Sequence, residues 1–190
     1  MQDRRAGLVL LSGVLGWLLW LGCLSSAAAE RYVIVPQKSQ IRFKAYSVLA
    51  RPLGKFTAFA GEILADPQHT SASSVQLRIE VNSLDTENAR RDKHLRSADF
   101  FFVERYPTIT FVSTAITGAV PMFTVTGDLN IRGVTQRLSL PVQIEQRPGE
   151  LQVQGQVALN RRDFGITYDA IFNPLQDMVD ILFTIVGVRQ

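Results

Sequence analysis

The feature that most constrains the fold of this chain is an alternation of apolar and polar residues with a period of two. Val75, Leu77, Ile79 and Val81 alternate with polar residues, and the same rhythm recurs down the chain. Successive side chains of a β-strand point to opposite faces of the sheet. The pattern therefore predicts antiparallel strands with one dry and one wet face.

About eight strands are predicted in this way, and turn signals such as Arg147-Pro148-Gly149 separate them. An up-and-down sheet of this size has two exposed edges unless it closes on itself. The sequence therefore predicts an all-β protein with one closed eight-stranded antiparallel barrel. The predicted strands span residues 41–46, 59–65, 75–81, 108–116, 123–131, 138–145, 151–159 and 178–188.

Composition narrows the function classes. The 190 residues are 46% hydrophobic and 19% charged, which favours one globular domain and excludes a disordered tail protein. The formal net charge is only +3, and no block of five or more like charges is present that could follow a phosphate backbone. Nucleic-acid binding is therefore not expected.

The N-terminus predicts export. Arg4 and Arg5 precede an uncharged apolar run over residues 6–24, and residues 27–29 are alanines. This is the pattern of a secretory signal peptide with a small-residue cleavage site. We predict a signal peptide over residues 1–29, cleavage before Glu30, and a periplasmic or secreted barrel domain over residues 30–190.

Two other interpretations of the leader stay open. Cys23 could be lipidated, although Trp20 replaces the smaller aliphatic residue that is usual in a lipoprotein box, and the apolar run approaches the ~20 residues of an uncleaved membrane anchor. All three interpretations export the domain. Cys23 is also the only cysteine, so cleavage before Glu30 leaves no disulfide and no thiolate metal site.

One segment interrupts the strand rhythm, and we expect a short helical insertion over about residues 86–102. Asp85 or Thr86 is the predicted N-cap of a helix over residues 89–96, which an i,i+4 pair between Asp92 and Arg96 would support.

The run of phenylalanines at residues 100–102 follows that helix and is too apolar to lie wholly in water. We expect it to cover one end of the barrel. It could instead join two barrels into a homodimer.

Five separated motifs, in order, resemble the YceI family: residues 54–61, 88–101, 106–111, 127–135 and 162–166. The resemblance implies an exported bacterial protein with a lipocalin-like barrel that holds a polyisoprenoid or another long-chain amphiphile, such as a quinone, a polyprenyl lipid or a fatty amide. It implies a binding protein rather than an enzyme. Ser47 departs from the family, because many members carry a His there.

If the apolar faces point inward, the barrel interior is a dry tube suited to a linear tail. The alternative is that large inward side chains fill the barrel, as in small closed barrels, which would make the protein an exported stress-response or interaction protein without a lipid ligand. The residues predicted to bind a ligand in the lumen are Phe43, Phe56, Leu77, Ile79, Phe111, Phe123, Val125, Leu129, Leu140, Val142, Val157, Ile181 and Phe183.

A second set of residues is predicted at the mouth, as head-group contacts or a lid. Catalysis is not expected of them, because Asp92 and His94 are two positions apart on a helix and point to different sides. The turn at Arg161, Arg162 and Asp163 is expected to form surface salt bridges, with one arginine as a possible anion contact. The set comprises Arg91, Asp92, His94, Phe100, Phe101 and Arg162.

No metal and no cofactor are predicted. The chain has only two histidines and no cysteine after residue 29, so a zinc site would need carboxylates to complete its ligands. A transmembrane barrel is a competing hypothesis, since it also alternates and follows a leader. It would be apolar outside and polar inside. The many charged and amide side chains on the polar faces would crowd a narrow lumen, so we rank this hypothesis below an apolar-lumen barrel.

Overall fold

The computed structural model describes residues 29–49, 51–169 and 174–190, and the predicted leader up to residue 28 lies outside this part of the chain. The described residues form eleven strands and one α-helix. These are β1 Glu30–Ile34, β2 Gln40–Lys44, β3 Leu53–Phe56, β4 Phe59–Ala65, β5 Ser74–Glu80, β6 Leu84–Asp85, α1 Ala89–Arg96, β7 Thr108–Ala119, β8 Met122–Ile131, β9 Val134–Arg147, β10 Glu150–Asn160 and β11 Met178–Arg189.

Eight of these strands form a closed ring in the order β1-β4-β5-β7-β8-β9-β10-β11, with every neighbouring pair antiparallel. The last strand returns to the first, since Val33 pairs with Val188 on one side and with Glu62 on the other. The predicted closed eight-stranded antiparallel barrel is confirmed.

Three ring strands are interrupted and continue as shorter strands toward one end. β2, β3 and β6 extend β1, β4 and β5, so that β11 pairs with both β1 and β2. Between β1 and β2, the residues Pro36–Lys38 form a 3₁₀ turn, and Pro36 has no N–H to give to a ladder. The Ser39 hydroxyl restores the connection to β11, accepting a hydrogen bond from the Val186 N–H at 2.9 Å.

Apolar side chains point into the barrel and polar ones point out. On β2, Ile41 and Phe43 are buried whereas Arg42 is exposed. This arrangement is the reverse of that in a transmembrane barrel.

The two ends of the barrel differ in their connections. We call the end with the short links at 66–73, 120–121 and 148–149 the hairpin end. The opposite end, which we call the helix end, carries the connection at 45–52, the segment 81–107 with α1, and the long segment 161–177.

Helix α1 has the predicted bounds but a different N-cap. The Asn88 side-chain oxygen accepts a hydrogen bond from the Arg91 N–H at 2.9 Å, so the expectation of Asp85 or Thr86 as the cap is wrong. Asp85 instead accepts a hydrogen bond from the Glu87 N–H. The reason is position, because a capping side chain reaches the N–H two or three residues ahead and Asn88 directly precedes the helix.

The expected pair between Asp92 and Arg96 is also absent from the described contacts. Arg96 donates to the Asn82 and Leu84 carbonyl oxygens, while Asp92 is buried and turns to Thr86. Both side chains thus tie α1 to the chain before it.

Candidate ligand-binding site

Two apolar cavities lie along the inside of the barrel. The outer cavity, at the helix end, has a volume of about 150 Å³, and the inner cavity, toward the hairpin end, about 130 Å³. Every side chain that lines the inner cavity is aliphatic or phenylalanine. Because neither space offers water the polar partners it needs, both are suited to a hydrocarbon.

The cavities adjoin each other across a common belt. The same five side chains border both spaces. The belt residues are Ile41, Ile79, Leu129, Leu159 and Ile181.

Three inward-facing phenylalanines narrow the lumen less than their size suggests. Each ring lies against a glycine of a neighbouring strand, so closely that a methyl group on that glycine would fall 2.1 to 2.5 Å from the ring. The rings therefore lie along the wall instead of filling the axis. The pairs are Phe43 with Gly54, Phe111 with Gly127 and Phe183 with Gly155.

Most residues predicted to line the lumen border a cavity. Phe123 borders neither, since it lies half-buried beside Val142 and Val125 near the hairpin end. Ligand binding by these side chains stays a prediction. The predicted residues found at the outer cavity are Phe43, Phe56, Ile79, Leu129 and Ile181, and those at the inner cavity are Leu77, Ile79, Phe111, Val125, Leu129, Leu140, Val142, Val157, Ile181 and Phe183.

Sequence reasoning missed other lining residues of two kinds. Ile41 and Leu159 share the strand phase of predicted neighbours, so the alternation itself could have found them. Phe164, Ile166 and Leu175 come from the connection between β10 and β11, where no period exists to reveal their inward direction.

A cleft of about 250 Å³ opens beside the outer cavity and shares five lining residues with it, namely Phe43, Ala45, Leu95, Phe100 and Leu175. We call this cleft the mouth. Its additional walls are mostly polar, unlike the lumen beneath it. They are Ser47, Pro52, Thr86, Arg91, His94 and Tyr168.

Arg91 and Asp92 both form hydrogen bonds with Thr86, which lines the mouth. The Arg91 guanidinium donates to the Thr86 hydroxyl at 2.8 Å and to its carbonyl at 2.7 Å, and the Asp92 carboxylate accepts from the Thr86 N–H at 3.0 Å. Asp92 is buried and borders no cavity, so its position indicates a structural contact rather than a head-group contact.

His94, Phe100 and Phe101 form the cover over the lumen. The His94 ring contacts Phe100 and Tyr168 edge to face, at centroid distances of 5.0 and 4.9 Å, and its Nε2 lies 2.9 Å from the Asp99 carboxylate. Phe100 and Phe101 border the outer cavity, and Phe101 also contacts Phe56. These contacts favour the covering role over the pairing of two barrels.

Arg161 is buried, so the expectation that it lies in a surface turn is wrong. Its side chain is only 3% exposed and borders the outer cavity, and its guanidinium donates to the carbonyls of Ile166 and Tyr168 at 2.8 and 2.9 Å. The cause is strand phase, because Arg161 continues the inward set of β10 two residues after Leu159.

Arg162 lies outside and binds two carboxylates. Its Nη2 contacts Asp169 and its Nε contacts Asp177, both at 2.6 Å. These contacts raise the pKa of Arg162 and lower that of Asp169, mainly through side-chain hydrogen bonds. An anionic head group would have to displace a carboxylate to reach Arg162.

Within residues 29–49, 51–169 and 174–190, no three His, Cys, Asp or Glu side chains come together as a metal site. Over the same ranges, no helix has both the length and the apolar character to cross a bilayer.

The geometry agrees with comparison to known proteins. A family model described as the YceI-like domain matches residues 32–187. The chain belongs to the YceI-like family. A UPF0312 protein of Pseudomonas aeruginosa (strain LESB58) is 34% identical to this YceI-like chain over 143 residues, which are 72% of this chain and 74% of that protein.

Solved structures give the same result for the fold. BcnA of Burkholderia cenocepacia superimposes with a TM-score of 0.76 at 26% identity, covering 80% of this chain and 98% of that one. A polyisoprenoid binding domain from Saccharophagus degradans, implicated in plant cell wall breakdown, has a TM-score of 0.70 at 15% identity, covering 84% and 98%. The latter likeness concerns the fold alone.

Proposed function

We propose that this YceI-like protein binds the tail of a polyisoprenoid or a similar long-chain amphiphile in its lumen, and sequesters or transports it without chemical change. The observation that carries the proposal is the pair of adjoining apolar cavities beneath a polar mouth. The structural neighbour from Saccharophagus degradans, which is named for polyisoprenoid binding, supports the same ligand class.

The size of the lumen sets the scale of affinity. An apolar cavity of ~150 Å³ accepts a ligand the size of benzene, so the two cavities together hold about a dozen carbon atoms, and the rest of a longer ligand such as retinol would extend into the mouth. Burial contributes ~0.8 kcal/mol per methylene, and about ten methylenes therefore give ~8 kcal/mol before ordering costs, in the micromolar range.

Export completes the proposal. The leader over residues 1–29 and cleavage before Glu30 would place the barrel in the periplasm or outside the cell, where a water-insoluble lipid needs a carrier. N-terminal sequencing of the protein from its native compartment tests the cleavage site, and sedimentation velocity tests whether two barrels pair.

Organic extraction of the protein from that compartment, followed by mass spectrometry, tests the ligand class. We expect a stoichiometric isoprenoid, quinone or fatty amide. Clean extracts from several preparations, together with no uptake of added retinol, would contradict the proposal and favour the interaction protein without a ligand.

A matched pair of variants tests where the tail lies. Val157 borders the inner cavity alone, whereas Gln156 beside it is exposed. We expect Val157→Trp to weaken the binding of retinol more than tenfold and to spare the short isoprenoid geraniol, with Gln156→Trp unchanged for both. The two natural tryptophans, Trp17 and Trp20, lie in the leader, so fluorescence of the new indole also reports a dry or wet site after cleavage.

A further inference from the structure

We propose that the helix end of the barrel docks on an anionic lipid bilayer, with the connection between β2 and β3 inserted as an apolar tip beside the mouth. The docking surface is defined by Val48, Leu49 and Leu53, with Arg51, Arg90 and Lys93 as its cations. That the docked state exchanges the lumen ligand rests on the function proposed above, whereas docking itself does not.

The first observation is the concentration of exposed aliphatic side chains at this connection. Val48, Leu49 and Leu53 are 74%, 78% and 60% exposed, and they are three of the four most exposed large apolar side chains in the described part of the chain. The fourth, Val120, is 71% exposed and lies at the hairpin end, where Met122 is 56% exposed. Isolated exposed apolar residues are ordinary, but three within residues 48–53, in the connection and at the start of β3, mark an interaction site.

The second observation is the place of this connection in the fold. Its base is closed by a hydrogen bond from the Ala45 N–H to the Pro52 carbonyl at 3.1 Å, and Ser47 and Pro52 line the mouth. A surface that contacts the tip therefore also faces the opening of the lumen.

The third observation is an excess of positive charge without carboxylate partners. Of the six Lys or Arg between Glu30 and Glu62, three contact carboxylates (Arg31, Lys38 and Lys55), whereas Arg51 lies in the connection between β2 and β3. Among the described residues, Arg51, Arg90 and Lys93 have no carboxylate oxygen within 4 Å, and all three are exposed. Cations beside an apolar tip are attracted by anionic lipids.

The acidic groups of the helix end do not cancel this charge. Arg161 and Arg162 hold Asp169 and Asp177, Lys55 contacts Asp85, His94 contacts Asp99 and the Tyr46 hydroxyl donates to Asp180. Glu87, Glu104 and Asp163 are exposed and, within the described part of the chain, have no cation within 4 Å, but Arg105 and Arg132 at the same end also lack a carboxylate within 4 Å, so unpaired cations stay in excess. Exposed aliphatic side chains at the same end as unpaired cations are typical of interfacial lipid binding.

Sedimentation of ligand-free protein with lipid vesicles tests the proposal. We expect binding to phosphatidylcholine vesicles that contain about 30% phosphatidylglycerol, weaker binding to phosphatidylcholine alone, and loss of binding as salt is raised. The double variant Val48→Ser, Leu53→Ser should lower the partition coefficient about tenfold. The triple variant Arg51→Gln, Arg90→Gln, Lys93→Gln should lower it by about tenfold or more.

Matched controls lie at the hairpin end. Val120→Ser removes an equally exposed valine, and Arg147→Gln removes an exposed arginine, and both should bind vesicles like the unaltered protein. All these residues are exposed, so circular dichroism should show every variant folded. No vesicle binding by the unaltered protein, or equal losses in the controls, would overturn the proposal.

Retinol binding in vesicle-free buffer separates this proposal from the proposed function. We expect the docking variants to keep their affinity for retinol while they lose binding to vesicles. If the unaltered protein binds vesicles but takes up no retinol, docking stands and the carrier function fails. If the unaltered protein takes up retinol but does not bind vesicles, the carrier function stands and docking fails.

Discussion

The two ends of the barrel are closed by different means, although the same strands run into both. At the hairpin end, short turns join long strands, and apolar side chains such as Tyr32, Ile116 and Leu151 are buried there. At the helix end, three strands are interrupted, and the closure is made by α1, Phe100, Phe101 and the segment after β10, above an outer cavity and a mouth.

This contrast teaches that strand packing and ligand access are separated in the molecule. The hairpin end is held by continuous sheet and apolar packing. The helix end depends on polar contacts from single side chains to backbone, above all those of Arg161, Arg91 and Asp92. Loops held by a few such contacts open at lower cost than strands in a sheet. The opening of the lumen therefore belongs at the helix end.

The largest effect is expected for Arg161→Met. Its buried guanidinium satisfies several carbonyl oxygens and contacts Asp169 and Asp177, so its loss should lower the free energy of unfolding by about 3 kcal/mol. Arg147→Met, at the hairpin end, removes only an exposed contact with Glu145 and should change the free energy of unfolding much less. Urea unfolding measures both, and similar values would erase the contrast between the ends.

A moderate effect is expected for the helix cap. Asn88→Ala should lower the free energy of unfolding by about 1 kcal/mol and speed the release of bound retinol, because α1 forms a wall of the mouth. Asp66 makes comparable contacts at the hairpin end, accepting from the Gln68 and His69 N–H groups at 2.9 and 2.7 Å. Asp66→Ala should cost similar stability without changing release, as followed by stopped-flow fluorescence. Faster release from both variants would place the exit elsewhere.

The smallest effect is expected in how the free energy of unfolding depends on pH in the acid range. Hydrogen bonds from Arg162 and Arg161 lower the pKa of Asp169, so ionised Asp169 stabilises the fold above the unfolded pKa of about 3.9. That contribution is lost as the pH falls through the lowered folded pKa. The stability difference between the protein and Asp169→Asn should therefore be full near neutral pH and should shrink below about pH 4.

The hairpin end again supplies the comparison for this titration. The pKa of Asp66 is also lowered, but chiefly by the backbone N–H of His69. High salt should weaken the Asp169 contribution, which depends on the charged partners Arg162 and Arg161, more than that of Asp66. Denaturant unfolding across the acid range at low and high salt measures both, and equal salt sensitivity would contradict this assignment.

Much of the barrel was predictable and the mouth was not. The strands β5, β8 and β10 follow from period-two alternation, and closure follows from the need to cover two sheet edges. β1 was missed because Pro36 and the Ser39 contact divide the first ring strand into two short pieces. The Asn88 cap lay within reach of sequence reasoning, since it stands directly before the helix.

The inward position of Arg161 also followed a readable signal, because it continues the phase of Leu159. The expectation of a surface residue rested on its charge instead, and a buried arginine is stable only where carbonyl and carboxylate oxygens surround it. Those oxygens come from residues up to 16 positions further along the chain. No local sequence pattern indicates that these oxygen atoms surround Arg161.

By itself, the sequence determined that the strands have one apolar side, that about eight of them form the sheet and that the sheet must close, because these follow from the two-residue repeat of the backbone and the cost of unpaired edges. Only the tertiary structure decided that the lumen is partly hollow and open toward one end. That outcome depends on where glycines let phenylalanine rings lie along the wall, and on contacts between segments far apart in the chain. The empty volume inside a barrel is a small difference between the volume that the strands enclose and the volume of the side chains within it. Composition alone does not reveal that difference.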